Sequence, residues 1–177
     1  KTLKRRRRES KTDYNIRIKL LKAEVPRVIF RKSNRYIIAQ YVMSSEARDN
    51  IVTGVTSKIL LKYGWPEDMK GSLKTLPASY LTGFFLGKKI TEKELETPII
   101  DMGMIRSVNK GRAFSFIKGL VDAGVKIKCS EESFPKEERI KGKNLKRDFT
   151  IMFGRIKSKI EEGKNSSKLG QVKGNSP

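Results

Sequence analysis

Positive charge is concentrated at the two ends of this chain, and that distribution limits which parts can enter a folded core. Residues 1–32 carry 13 Lys and Arg against 3 Asp and Glu, residues 33–135 carry 15 against 11, and residues 136–177 carry 12 against 5. Lys and Arg are rarely buried unless they are paired, so the nearly balanced middle is the part that can pack. We therefore expect a folded body with a basic extension at each end.

The net charge of +21 over 177 residues also indicates the kind of partner. A chain with this charge repels itself, so we expect a polyanion as partner, nucleic acid first and an anionic membrane second. The chain has no histidine and one cysteine, Cys129, which removes histidine-based catalysis, internal disulfides and cysteine-built zinc sites. We see no apolar run of membrane-spanning length and no signal peptide, and we expect a soluble intracellular protein without metal or cofactor.

The middle of the chain begins with a predicted antiparallel meander. Three segments rich in β-branched and aromatic residues predict strands: Arg27–Lys32, Tyr36–Met43 and Ile51–Thr56. Ser33-Asn34-Arg35 suits the hairpin turn between the first two strands, and SSEARDN is expected to be a loop before the third. A short helix is predicted over Ser57–Tyr63, because Gly64-Trp65-Pro66 would end it.

A helix–strand–helix half is predicted to follow the meander. Apolar residues from Leu76 to Ile90 cover most of one helix's surface, which predicts burial on nearly all sides, and Gly83 and Gly87 would let another element approach. The pattern then predicts a strand over Pro98–Met102, a helix over Arg112–Ala123 capped by Gly124, and a strand over Val125–Ile127. Strand, helix and strand in this order predict a crossover unit, so the fold class is mixed α/β.

Beyond residue 130 the chain becomes charged and loop-like, and then predicts an amphipathic helix. Its apolar face would hold Leu145, Phe149, Met152, Phe153, Ile156 and Ile160, and its basic face Lys146, Arg147, Arg155, Lys157 and Lys159. Packing on the body is favoured for the apolar face over lying on a membrane, which leaves the basic face for RNA. We predict a basic arm over 1–26, an α/β body over 27–130, a charged loop and helix over 131–162, and a disordered basic tail over 163–177.

The arginine run Arg5–Arg8 is the first candidate for binding RNA. Guanidinium groups donate two hydrogen bonds to one phosphate and also stack on bases. Tyr14 and Arg17 follow in a segment with a partial apolar face, which can order against RNA and dock on the body. A solvated tail and a nuclear import signal are the alternatives for the run.

Two further basic clusters lie in the body. The hairpin carries Arg31, Lys32, Asn34, Arg35 and Tyr36, and a second loop holds Arg106, Lys110 and Arg112 around Gly111. The second loop precedes a helix whose first amides can bind an anion, although a plain capping loop explains it equally well. Asp101 and Asp122 are the carboxylates that an enzyme would need, but no ligand cluster accompanies them, so capping or ion pairing is favoured.

Five stretches, in order, resemble a known family: KRRRRESKTDYNIRIKLLK, PRVIFRKSNRYIIAQYV, PASYLTGFFLGKK, IIDMGMIRSVNKGRAFSFIKGLVDAGVKI and FPKEERIKG. Between about Lys4 and Gly142 the chain is similar to the large-subunit ribosomal protein family that binds 5S rRNA, number eighteen in the universal series, in its archaeal form. The resemblance implies a non-enzymatic structural constituent of the large ribosomal subunit, located in the cytoplasm, that anchors 5S rRNA. Its implied partners are 5S rRNA, the main large-subunit rRNA and neighbouring ribosomal proteins of the central protuberance, with no membrane partner.

The resemblance also implies which residues contact RNA. In the arm these are Lys4, Arg5, Arg6, Arg7, Arg8, Lys11, Tyr14 and Arg17; in the hairpin Arg31, Lys32, Ser33, Asn34 and Arg35; and in the second loop Lys110, Gly111 and Arg112. Most of them belong to the basic clusters that the residues themselves indicate. The alternatives are an RNA-processing or RNA-modifying enzyme and a basic membrane-surface protein.

Overall fold

The structure is a computed structural model that describes residues 2–145 and 148–163. These residues contain a four-stranded mixed sheet in the order β3-β2-β1-β4. The strands are β1 (Arg27–Lys32), β2 (Ile37–Ser45), β3 (Arg48–Thr56) and β4 (Ile99–Asp101). The helices are α1 (Arg5–Arg8), α2 (Tyr14–Lys22), α3 (Leu76–Glu92), α4 (Arg112–Asp122), α5 (Glu137–Lys141) and α6 (Thr150–Glu161), with 3₁₀ helices at Ser57–Tyr63, Glu67–Ser72 and Glu131–Ser133. The mixed α/β class is confirmed.

The antiparallel meander forms as predicted, but its second hairpin is tighter. β2 and β3 pair as far as Ser45 opposite Arg48. The two residues between them, Glu46 and Ala47, both have positive φ, 48° and 63°, the conformation of a two-residue hairpin turn. Most of the stretch SSEARDN (residues 44–50) therefore belongs to β2 and β3, and the prediction of a loop there is wrong.

Helices α3 and α4 pack with their backbones in contact, and glycine makes this possible. A Cβ on Gly83 would lie 2.2 Å from the carbonyl oxygen of Phe116, and one on Gly119 would lie 2.2 Å from that of Tyr80. The prediction that Gly83 admits a neighbour is confirmed. The pair packs against the inner face of the sheet, where the Phe30 and Phe116 rings are 5.0 Å apart.

The crossover differs from the predicted one, because Val125–Ile127 is not a strand of the sheet. β4 pairs in parallel with β1, and the connection between them contains α3. The amide of Val125 donates instead to the carbonyl of Leu120 (3.1 Å), and Gly124 takes φ +99°. These features close the C-terminal turn of α4, so the amide of Val125 is unavailable to a strand partner.

The C-terminal amphipathic helix is shorter than predicted. It begins at Thr150 because Gly142 (φ 79°) ends α5 and the Asp148 carboxylate accepts a hydrogen bond from the Thr150 amide at 2.9 Å. Phe153 and two isoleucines of α6 pack on the body as predicted. Met152 was predicted for the same face but is 42% exposed. Lys146, Arg147 and residues 164–177 lie outside the described residues, and with them part of the predicted basic face and almost all of the predicted tail.

Replacing Gly119 with Ala should destabilise the fold by about 1–3 kcal/mol, because the added methyl group separates two packed helix backbones. Urea unfolding measures the change. Gly154 in α6 is the matched control, since a Cβ there meets nothing within 4 Å. Gly154→Ala should stabilise the protein by about 0.5–1 kcal/mol through helix propensity. Equal effects of the two substitutions would contradict the close approach of α3 and α4.

Candidate nucleic-acid interface

The arm, residues 2–22, is folded into α1 and α2 and presents its cations outward. Asp13 caps α2 by accepting from the amides of Asn15 (2.9 Å) and Ile16 (3.3 Å). The four residues of α1 are all exposed, and Lys4 places its ammonium 4.6 Å from the centre of the Tyr14 ring. The arginine run is therefore a short, exposed helical segment with cations on every side.

A row of alternating charges joins the arm to the sheet, and we call it the ion-pair ladder. Its members in spatial order are Arg17, Asp49, Arg27, Asp101 and Arg31. The successive nitrogen–oxygen distances are 3.2 Å from Arg17 to Asp49, 2.7 Å from Asp49 to Arg27, 3.6 Å from Arg27 to Asp101 and 3.2 Å from Asp101 to Arg31. Since the ladder contains residues of α2, β1, β3 and β4, it fixes the arm to three of the four strands.

Arg27 at the centre of the ladder is almost completely buried, with 1% of its surface exposed. A buried charge is costly unless it is paired. Its Nη2 donates to the Ser44 hydroxyl and to Asp49, both at 2.7 Å. Burial alone would raise the pKa of Asp49, but the hydrogen bonds from Ser44 and Arg17 and the charge of Arg27 outweigh it and lower that pKa below its ordinary value.

The structure places Arg31, a predicted RNA contact, in the ladder. Its Nη1 donates to the carbonyl oxygens of Phe30 and Asp101, both at 2.9 Å, and its Nη2 donates to the two Asp101 carboxylate oxygens at 3.2 Å. Gly103 packs against the guanidinium so closely that a Cβ there would lie 2.7 Å from the Arg31 Cζ. The terminal nitrogens of Arg31 therefore bind protein acceptors, and the side chain has a structural use.

The hairpin between β1 and β2 is built by Ser33 and presents two cations. The Ser33 hydroxyl accepts from the Tyr36 amide (2.9 Å) and donates to the Tyr36 carbonyl (2.8 Å). Lys74 donates to the Asn34 carbonyl at 2.7 Å and holds the tip. Lys32 and Arg35 are exposed. Ser33 thus shapes the predicted site, while the two cations are free to face a ligand.

The second loop is held in place on both sides of Gly111. The Lys110 amide donates to the Ser133 carbonyl at 2.9 Å, and the Gly111 amide donates to the Val108 carbonyl at 3.1 Å. A Cβ on Gly111 would lie 2.7 Å from that Val108 oxygen, so only glycine fits without a shift. Gly111 therefore positions the two cations beside it and the start of α4 at Arg112.

The hairpin and the second loop meet at one open groove of about 780 Å³, which we call the groove. Five cations line it: Lys32, Arg106, Lys110, Arg112 and Arg139. Arg106 belongs to a basic cluster of the sequence but is not among the predicted RNA contacts. Arg139 was missed altogether, because it lies in α5, a helix that the charged sequence around it did not predict. Only the folded structure shows that Arg139 lies at the groove.

The arm cations surround a second, smaller cavity of about 150 Å³ between the arm and the sheet. Its cationic lining consists of Arg6, Lys11, Arg17, Arg27 and Arg31. Four predicted residues line this crevice (Arg6, Lys11, Arg17 and Arg31), and four line the groove (Lys32, Lys110, Gly111 and Arg112). Lys4, Arg5, Arg7, Arg8 and Tyr14 lie in the arm outside both cavities. Ser33, Asn34 and Arg35 line neither cavity and lie at the hairpin tip beside Lys32.

Lowering the pH should weaken the ladder through Asp49. Since the pKa of Asp49 is lowered in the folded protein, its stabilising contribution is present above the ordinary value of about 4 and is lost as the pH falls through the folded value. Asp49→Asn should reduce the free energy of unfolding by about 1–3 kcal/mol at pH 7, and by less in acid.

Urea titrations between pH 3 and pH 7 test this expectation. Asp68→Asn, an exchange at an exposed aspartate of a 3₁₀ helix, is the matched control and should change little at any pH. A loss for Asp49→Asn that stays constant over the whole range would show that the charge of Asp49 is not what holds the ladder.

This chain is similar to known ribosomal proteins of the large subunit. A family model described as ribosomal large subunit proteins 60S L5 and 50S L18 matches residues 1–98. The large ribosomal subunit protein uL18 of Korarchaeum cryptofilum is 40% identical over 141 residues, which are 80% of this chain and 70% of that protein. The protein of the same name from Methanoregula boonei is 38% identical over 141 residues, 80% of this chain and 79% of its own length.

Proposed function

Because the chain belongs to the family of large-subunit ribosomal proteins 60S L5 and 50S L18, we propose that it binds 5S rRNA and anchors it to the main rRNA in the central protuberance. The resemblance seen in the sequence, including its archaeal form, is confirmed by the two archaeal relatives. As a member of this family the protein is a structural constituent of the large ribosomal subunit, and it acts in the cytoplasm.

The observation that carries the proposal is the pairing of an exposed cationic arm with a cation-lined groove on a nearly neutral body. Phosphate contacts fix the register of a protein on RNA, and cations on a rigid scaffold make such contacts with a smaller loss of entropy than cations on a flexible chain. The ion-pair ladder holds the arm on the sheet, and backbone hydrogen bonds hold the second loop. Both surfaces are thus shaped before RNA arrives.

The predicted contacts divide by their use in this arrangement. Arg17 and Arg31 form the ladder, and Ser33 and Gly111 shape the loops, so these four position the surface. Under the proposal, direct phosphate contacts fall to exposed cations: Lys4, Arg5, Arg6, Arg7, Arg8, Lys11, Lys32, Arg35, Lys110 and Arg112. Tyr14 and Asn34 lie among them and can stack on or hydrogen-bond to unpaired bases.

We further propose that the protein has no enzymatic activity. Asp101 accepts hydrogen bonds from Arg31 and from the Gly103 amide at 2.8 Å, and Asp122 accepts from the Tyr80 hydroxyl at 2.6 Å and pairs with Lys118 at 3.1 Å. Both carboxylates thus have structural partners, as the sequence favoured. Across residues 2–145 and 148–163 no three His, Cys, Asp or Glu side chains gather as metal ligands would.

A membrane-surface function has less support than RNA binding. The apolar face of α6 is already covered, since Phe153, Ile156 and Ile160 are buried and the Phe153 ring lies 5.4 Å from that of Tyr80. A helix that uses its apolar face inside the protein cannot insert that face into lipid headgroups. In the part of the chain that the structure describes, every helix is too short or too polar to span a bilayer.

Replacing two arm cations should weaken 5S rRNA binding and flatten its salt dependence. Arg5 and Arg8 are exposed, so Arg5→Gln with Arg8→Gln should leave the body folded. If each residue contacts one phosphate, the slope of log K against log salt should fall by about 1.5. Fluorescence anisotropy with labelled 5S rRNA at several salt concentrations measures both quantities, and transfer RNA is the specificity control.

The matched protein control for that experiment is Lys126→Gln with Lys128→Gln, which removes the same charge from exposed residues outside the arm and the groove. This variant should keep a slope close to that of the unchanged protein. If the arm and control variants lose equal slope, binding depends on net charge alone, and the arm has no specific part in it.

A further inference from the structure

We propose that the groove holds one unpaired nucleotide of the bound RNA, with the base on its apolar floor and a phosphate at its cationic rim. The inference rests on the proposed function and names what the groove recognises. No Asp or Glu lies among the described residues that line the groove, although the rim carries five cations. The surface is therefore complementary in charge to an anion over its whole described extent.

The floor of the groove is apolar, which phosphate binding alone does not require. Seven apolar residues line it: Phe30, Leu76, Pro77, Ile105, Val108, Ala113 and Leu145. Val108 is 55% exposed and stands between the cations of the second loop. Placing an exposed aliphatic side chain among cations suits a ligand that is flat and apolar in one part and anionic in another. A nucleotide has that combination, since an unstacked base presents an apolar face beside its phosphate.

Two helix starts add to the anion-binding character of the groove. Residues at the beginning of α3 (Thr75 and Leu76) and of α4 (Gly111 and Arg112) all line it. Neither Thr75 nor Gly111 caps its helix with a side-chain hydrogen bond. The positive ends of both helix dipoles therefore lie at the groove and favour a negative ligand. No N-cap side chain satisfies the first-turn amides, although Pro77 contributes none to α3.

The two helix starts are locked together, so the groove keeps its shape without a ligand. The Ser79 hydroxyl of α3 donates to the Arg112 carbonyl at 2.6 Å, and the Ser115 hydroxyl of α4 donates to the Leu76 carbonyl at 2.9 Å. Both serines are fully buried. A volume of about 780 Å³ lies in the range of sites for small organic ligands, which is enough for one nucleotide.

An extended acidic peptide is the other ligand that would suit cations around an apolar floor. We favour the nucleotide because the groove continues from Lys32 of the hairpin, and the same molecule carries an arm of exposed arginines. An RNA that follows these cations brings its unpaired bases to the groove. A nucleotide in the groove would let one RNA molecule bind both the arm and the groove, whereas a peptide would require a second ligand.

The test compares the binding of two fluorescein-labelled oligomers, hexauridylate and its abasic counterpart, to the full chain. The two oligomers have equal length and charge. The variant Val108→Ser removes apolar surface from the floor. Ile51→Ser is the matched control, because Ile51 is 53% exposed and lies on β3, outside the groove. Fluorescence anisotropy gives each dissociation constant, and the ratio of the abasic to the base-containing constant isolates the contribution of the bases.

We expect the unchanged protein to bind hexauridylate at least fivefold more tightly than the abasic oligomer. Val108→Ser should lower that ratio about threefold, in line with the apolar area that it removes, and Ile51→Ser should leave it unchanged. Arg106→Gln should weaken both oligomers equally, since it acts on phosphate. These outcomes together would support the nucleotide site.

Three outcomes would overturn the inference: equal affinity for the two oligomers, an unchanged ratio in Val108→Ser, or displacement of hexauridylate by a glutamate–leucine peptide at a lower concentration than by unlabelled hexauridylate. None of them touches the proposed function, because 5S rRNA binding and its salt slope are measured separately. Normal 5S rRNA binding with an unchanged ratio would reject the nucleotide site alone. The expected ratio, together with an arm variant that loses no more salt slope than its lysine control, would count against the proposed function alone.

Discussion

The buried guanidinium of Arg27 is the interaction on which the arrangement of this protein depends. It lies between Asp49 of β3 and Asp101 of β4, and both carboxylates also bind a second arginine. Removing one partner from such a row would leave a buried charge uncompensated, which is far more costly than the row's net contribution to stability. The ladder therefore acts as a constraint on the placement of β4 beside β1 and, through the Arg17–Asp49 pair, on the placement of the arm on the sheet.

This constraint distinguishes two groups of cations that have different roles. Arg17, Arg27 and Arg31 bind protein carboxylates and carbonyls, so they hold the scaffold. The cations of α1 and of the groove rim are exposed, including Arg5 and Arg7, whose carboxylate partners lie within the arm. Under the proposal, these exposed cations supply the field that attracts RNA. The uneven charge of the sequence thus serves two purposes under the proposal: buried ion pairs organise the interface, and exposed cations bind the RNA. A count of Lys and Arg alone overstates how many of them can touch a phosphate.

How well the sequence predicts each feature of this structure depends on how far apart in the chain the interacting residues lie. Local patterns were sufficient for β1, for α3 and α4, and for the close approach at Gly83, since strand alternation, helix periodicity and glycine spacing act within one segment. The pairing of Arg31 with Asp101 spans 70 residues and gives no local signal. For the same reason the sequence could not show that Arg139 joins Lys32 at the groove. The strand predicted at Val125–Ile127 is absent because two local patterns compete there. The Val125 amide donates its hydrogen bond within the C-terminal turn of α4, so it cannot pair with a neighbouring strand.

We propose that an exposed arm and a cationic groove, both held by the folded body, together form the surface that binds 5S rRNA. The most direct measurement is ultraviolet cross-linking of the purified protein–5S rRNA complex, followed by mass spectrometry of the RNA-linked peptides. The account predicts cross-links in two separate regions, one within residues 4–17 and one within residues 105–112. Cross-links confined to the outer face of α6, with neither region labelled, would contradict it.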